Sequence, residues 1–112
     1  MHELGIVSEL VELAEARAER EGDVRVTRLV LAIGKLSTVL PDAVRFAFDV
    51  ATEGTRLEGA NLEIREVDGR GECRVCKAAL VLSGPVTRCT CGAFDVAWHS
   101  GTEVRIVEME VR

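Results

Sequence analysis

Four cysteines set the strongest constraint on this chain: Cys73-Arg74-Val75-Cys76 is followed, twelve residues later, by Cys89-Thr90-Cys91-Gly92. Two thiolates separated by two residues clasp one tetrahedral ion from a tight turn, and a second pair on a neighbouring turn completes the shell. The segment around them runs about 27 residues from Gly69 to Asp95 and has Leu80, Val81, Leu82, Val86 and Phe94 to build a core from. So short a segment does not bury enough apolar surface to fold alone. Zn2+ held by Cys73, Cys76, Cys89 and Cys91 would supply the missing folding free energy. The second pair has one intervening residue, fewer than the usual two to four. His99, eight residues beyond Cys91, is the replacement ligand should that short pair fail to close. A redox or metal-sensing thiol is the competing reading. It is weakened because Cys73 and Cys76 do not open a helix after a core strand, as that chemistry requires.

Outside this insert the chain is periodic. Leu4, Val7, Leu10, Val11, Ala14 and Ala18 form one helical stripe that ends at Gly22. Val24, Val26 and Leu29 to Ile33 make a β-branched, nearly continuous apolar run, which reads as a strand buried on both faces. After the loop from Gly34 to Thr38, Pro41 opens a second helix through Phe46 and Val50 to a stop at Gly54. Leu62, Ile64 and Val67 suggest another strand, and Glu103 to Arg112 a last one. The expected class is α/β, a small mixed sheet with two helices interrupted by a cysteine-rich zinc domain. The expected divisions are an α/β domain over residues 1–68, a zinc-binding insert over 69–95, and a C-terminal strand over 96–112 that returns to the first domain's sheet.

Charge and composition exclude several function classes. The 112 residues carry 14 basic and 19 acidic side chains, a formal charge of -5, so coating nucleic acid or an anionic membrane is not the expected task. Glu9 and Glu12 break the only N-terminal apolar run, so no signal peptide is expected, and no stretch approaches a membrane span. The expected compartment is the cytoplasm, where reduced thiols bind metals rather than pair as disulfides. Within the insert Arg70, Arg74, Lys77 and Arg88 face Glu72 and Asp95, a slight excess that keeps a nucleic-acid-binding or protein-interaction zinc ribbon as the alternative. An enzyme fares worse. The two histidines have no nucleophile nearby in sequence, and Gly34-Lys35 lacks both the first glycine and the Ser or Thr of a phosphate loop.

Met1-His2-Glu3 is the second chemical feature. The terminal amine, the His2 backbone nitrogen and the imidazole can wrap one ion in fused chelate rings, a nitrogen-rich, near-planar set suited to Ni2+ or Cu2+. A chain end also releases its ion readily. Met1-His2-Glu3 with Ser8 and Leu10, the turn Ile33-Gly34-Lys35-Leu36-Ser37 leading to Pro41-Asp42-Ala43-Val44, the cysteine insert, and the closing Gly101-Thr102-Glu103-Val104-Arg105-Ile106 together resemble the HypA/HybF family of hydrogenase nickel-incorporation proteins. The likeness covers nearly the whole chain in order.

The resemblance implies a nickel metallochaperone: a small α/β nickel-binding domain interrupted by a zinc domain. It implies that Met1 and His2 bind Ni2+ with assistance from Glu3, and that the four cysteines hold structural Zn2+, although the family usually has two residues between the second pair. Asp42 loosely matches an acidic residue tied to nickel in some relatives; its other reading is an acid at the favourable end of a helix dipole. The implied partners are a HypB-type GTPase, the hydrogenase large-subunit precursor, urease maturation proteins in some relatives, and a second copy in a homodimer. No catalytic residue is expected.

Overall fold

In a computed structural model of the chain, residues 2–84 and 88–112 are described, His2 by its backbone alone. Met1 and Val86 of the sequence expectations lie outside the described residues. The element order is α1 (His2–Arg20), β1 (Val26–Gly34), α2 (Pro41–Ala51), β2 (Asn61–Val67), β3 (Gly69–Cys73), β4 (Ala79–Leu82), β5 (Val96–Ser100) and β6 (Val104–Val111). The strands form two three-stranded sheets, β2-β1-β6 and β4-β3-β5.

The chain separates into two compact units: Met1–Leu31, Val39–Arg65 and Arg105–Arg112 make the first, Ala32–Thr38 and Glu66–Val104 the second. In the first unit the stripe of α1 buries Val7, Leu10, Val11, Ala14 and Ala18, and α2 buries Val44, Ala47 and Phe48. The two helices pack on each other. Leu29, Val30 and Leu31 of the central strand are fully buried, as their continuous apolar run requires. Gly22, at φ +104°, takes the chain out of α1. Pro41 occupies the first turn of α2, where its missing N–H leaves no bond unmade. Arg28 of β1 ties the sheet together across its strands, donating to Glu63, Glu108 and Glu110.

The second unit contains three strands that periodicity did not foretell. β3 pairs antiparallel with β4, Gly71 opposite Leu80, and with β5, Cys73 opposite Val96, its register shifting between Arg70 and Gly71. Strands of four or five residues with glycine at two of the first three β3 positions carry no alternation to read. The C-terminal segment also divides differently from the expected boundary at 96. Val96–Ser100 belongs to the second sheet, and the return to the first sheet begins at Val104.

Three glycines govern a close crossing within this unit. A Cβ on Gly34 would lie 2.0 Å from the Gly101 carbonyl oxygen, and one on Gly101 2.4 Å from the Gly69 Cα. The approach lets Gly34 N–H donate to Glu103 (2.8 Å), Lys35 N–H to Val67 (2.9 Å) and Leu36 N–H to Gly101 (2.9 Å). Gly101 also sits at φ +91°, which side chains adopt only under strain. Gly101→Ala should therefore destabilise the chain by about 1–3 kcal/mol from backbone strain, with the steric overlap adding to it. Urea unfolding measures the loss; an unchanged midpoint would show that the crossing relaxes freely.

Candidate metal centre

Both cysteine pairs sit on turns whose backbone geometry aims sulfur inward. Cys73 closes β3, and its turn is fastened by Lys77 N–H donating to the Cys73 carbonyl (2.9 Å) and Cys73 N–H to Ala78 (3.0 Å). Lys77 adopts φ +68° to complete the reversal. In the second turn Gly92 N–H donates to the Cys89 carbonyl (2.8 Å) and Cys89 N–H to Ala93 (2.9 Å), with Gly92 at φ +97°. Gly92 is the residue a left-handed position calls for.

The four sulfurs converge within 4.8 Å of one another. Across the two turns, Cys76 Sγ lies 3.5 Å from Cys89 Sγ and Cys73 Sγ 3.7 Å from Cys91 Sγ. A tetrahedral ion with Zn–S bonds of about 2.3 Å sets its sulfurs about 3.8 Å apart, so the donors and their spacing fit such an ion. The short Cys89-Thr90-Cys91 pair therefore closes without help. Among the described residues, His99 is not part of this cluster.

Two pairings brace the turns from outside. Arg74 bonds Asp95 through its guanidinium (3.0 Å) and its backbone N–H (2.8 Å), joining the first turn to the segment after the second. Arg88 lies 5.5 Å from the Phe94 ring centroid and donates to the Gly92 carbonyl. Apolar support is thin: Leu82 is buried, but Val81 and Phe94 are 58% and 66% exposed. Backbone pairing and these braces shape the turns over a thin core, and a bound metal would add the stability that this core does not supply.

The backbone also prepares the sulfurs electrically. The N–H groups of Cys76 and Val75 point at Cys73 Sγ and lower its thiol to about 7, against a partly opposing cost of burial. The Cys91 N–H similarly lowers Cys89. Their partners move the other way. For Cys91 the Ala93 N–H is the largest single influence and pulls down, but the sulfurs of Cys89, Cys73 and Cys76, together with burial, push it up to about 12. Cys76 is raised on the same pattern, its Ala78 N–H outweighed by Cys89, burial and Cys73. Each turn thus holds one buried, thiolate-favouring sulfur, Cys73 or Cys89, and one on an exposed residue, Cys76 or Cys91. A dication removes the mutual repulsion that keeps the latter two protonated.

The N-terminal residues are placed by α1. Its first described residue is His2, and Glu3 lies buried in the first turn at 8% exposure. Asp42 occupies the first turn of α2 and is exposed, the dipole-facing position its type favours. The sulfur-directed N–H groups and the Arg74–Asp95 brace escaped the sequence reading. Opposite charges adjoining the two turns were the available signal for the brace.

The family model described as "Hydrogenase/urease nickel incorporation, metallochaperone, hypA" matches residues 1–111. The chain belongs to the HypA family. It is 45% identical over 111 residues to the hydrogenase maturation factor HypA of Nostoc sp., covering 99% of this chain and 96% of that protein. It is also 45% identical over 112 residues to the HypA of Geotalea uraniireducens, covering 99% of each. Among solved structures, the Ni metallochaperone HypA from Helicobacter pylori superposes with a TM-score of 0.70 at 25% identity, over 97% of this chain and 96% of that one. As a HypA-family protein the chain is a nickel-incorporation metallochaperone of hydrogenase maturation, a role that engages the maturation machinery, and the zinc-ribbon alternative is not favoured. No helix among the described residues is long and apolar enough to cross a membrane.

The sulfur chemistry has a measurable consequence. Because the folded Cys73 pKa lies below the ordinary 9.0, its thiolate stabilises the metal-free fold fully above about pH 9, and that contribution is lost as pH falls through about 7. In metal-free protein the first thiolate absorbance step near 240 nm should fall near pH 7. In the Cys73→Ser variant the amplitude of that step should fall, Cys89 alone remaining as a thiolate-favouring sulfur; an undiminished step would remove the assignment to Cys73.

Proposed function

We propose that this HypA-family chain takes up Ni2+ as cargo through the Met1 amine and the backbone nitrogen and imidazole of His2, with Glu3 tuning the site, and that Zn2+ resides among the four cysteines as a structural ion. The observation that carries the reading is the family match over residues 1–111 joined to a sulfur cluster with the donors to hold one metal by itself. Nickel delivery then calls for a second, more labile donor set, and nitrogen ligands on a chain end meet that demand.

The helix geometry supports this assignment. α1 begins at His2, and the first N–H groups of a helix have no carbonyl one turn earlier to bond. The His2 nitrogen is thereby available to an ion without breaking the helical ladder. Glu3 brings a carboxylate to the same turn, where the helix dipole favours negative charge. Zn2+, when bound, supplies charge neutralisation to four thiolates. The chain's own part is to aim the Val75, Cys76 and Cys91 N–H groups at sulfur and to hold the two turns together through Arg74 and Asp95.

In this reading the protein acts in the cytoplasm, where thiols stay reduced. It catalyses no covalent step. It receives or passes nickel in contact with a HypB-type GTPase and delivers it toward the hydrogenase large-subunit precursor, with urease maturation proteins as recipients in the same chemistry. A homodimer is compatible with that work.

Metal analysis combined with isothermal titration tests the assignment. His2→Ala, or two residues added ahead of Met1, should abolish Ni2+ binding and leave about one zinc per chain. Cys73→Ser should lose the zinc and lower the stability of the second unit. Nickel bound equally well by the extended chain, or bound wholly by sulfur in X-ray absorption, would refute the nitrogen site.

A further inference from the structure

The outward face of α2 has a composition that its role in the core does not explain. At about 100° per residue, Val44, Ala47 and Phe48 fall on the buried side of this helix, and Phe46 and Val50 fall opposite them. Phe46 is 69% exposed and Val50 47%. The two are one turn apart and form a single apolar ridge. Asp42 and Asp49 lie on the same outward face, about 20° apart around the axis, and run alongside the ridge, with exposed Glu53 just beyond the end of the helix. None of the three forms an ion pair with a described residue. Arg45, the one cation of the helix, donates instead to the Leu62 carbonyl of β2 at 3.1 Å. Arg45 stands beside Asp42 and Asp49 at helical spacing but is ion-paired to neither.

Single exposed apolar residues are ordinary, but an aromatic ridge bordered by uncompensated charge of one sign has the anatomy of a docking surface, apolar at its centre and charged along its rim. The charge also selects the occupant. A second copy laid antiparallel on the ridge would set acidic stripe against acidic stripe, and any second copy brings another net charge of -5. Anionic lipid and nucleic acid are repelled in the same way. A protein with an apolar groove rimmed by Lys and Arg is attracted.

We propose that the Phe46–Val50 ridge of α2, flanked by Asp42, Asp49 and Glu53, docks a partner protein through such a basic-rimmed apolar groove. The proposal rests on the reading that the chain meets protein partners in nickel handover. Phe46 anchors the contact by filling the groove, and the acidic stripe steers the approach and fixes the orientation.

The test uses the full zinc-loaded chain, labelled and titrated separately with purified HypB-type GTPase and with purified hydrogenase large-subunit precursor at several salt concentrations. Phe46→Ala should weaken binding to at least one of them about tenfold or more, in keeping with a central aromatic anchor. The triple variant Asp42→Asn, Asp49→Asn, Glu53→Gln should weaken the same complex and flatten its salt dependence. All four side chains are exposed, so circular dichroism and zinc content should match the parent. His2→Ala should leave this docking unchanged, which separates the surface from the nickel site. Parental affinity and salt slope in both variants, with both proteins, would overturn the docking surface while the partner reading stands. A parent that binds neither protein would remove the partner reading and this proposal together. Sedimentation showing that Phe46→Ala turns a dimer into a monomer would assign the ridge to a second copy and overturn the basic partner.

Discussion

The convergence of four sulfurs within 4.8 Å organises the whole second unit, because little else in it is able to. Leu82 is one of the few large apolar side chains buried there, while Val75, Val81 and Phe94 face solvent. Short strands of four or five residues supply backbone pairing but too little hydrophobic area to offset the loss of chain entropy. A bound ion would add the missing stability to turns that the backbone already shapes. The N–H groups of Val75, Cys76 and Cys91 favour thiolate at one sulfur of each pair, so the ion meets two sulfurs that ionise readily and two that yield their protons only to a dication.

The first unit stands on different physics. Its two helices pack on each other and bury apolar stripes, and its charged residues gather into networks such as Arg28 with Glu63, Glu108 and Glu110. Under the proposed assignment this division of labour suits a metallochaperone, with one metal integral to the second unit and the other held as cargo at the chain end.

How much of this was legible in the sequence depended on the kind of signal. Both helices were readable because α1 repeats Val7, Leu10, Val11 and Ala14 at helical spacing and α2 has Pro41 at its start and Gly54 beyond its end. β1 was readable because burial on both faces forces an apolar run. β3, β4 and β5 were not, because glycines at 69 and 71 exist to let backbones approach, and pairing of that sort leaves no trace in hydropathy. At the metal centre the four cysteines were legible from their spacing alone. That the short Cys89-Thr90-Cys91 pair closes without His99 was not, since it depends on the Gly92 turn and on the bonds from Cys89 and Gly92 N–H groups.

The approach of Gly69 to Gly101 means that the chain leaves on its long excursion and comes back at nearly one point. A detour whose two ends already touch adds closure entropy only with the logarithm of its length. Loops beyond that neck can therefore be lengthened or trimmed at a small entropic cost.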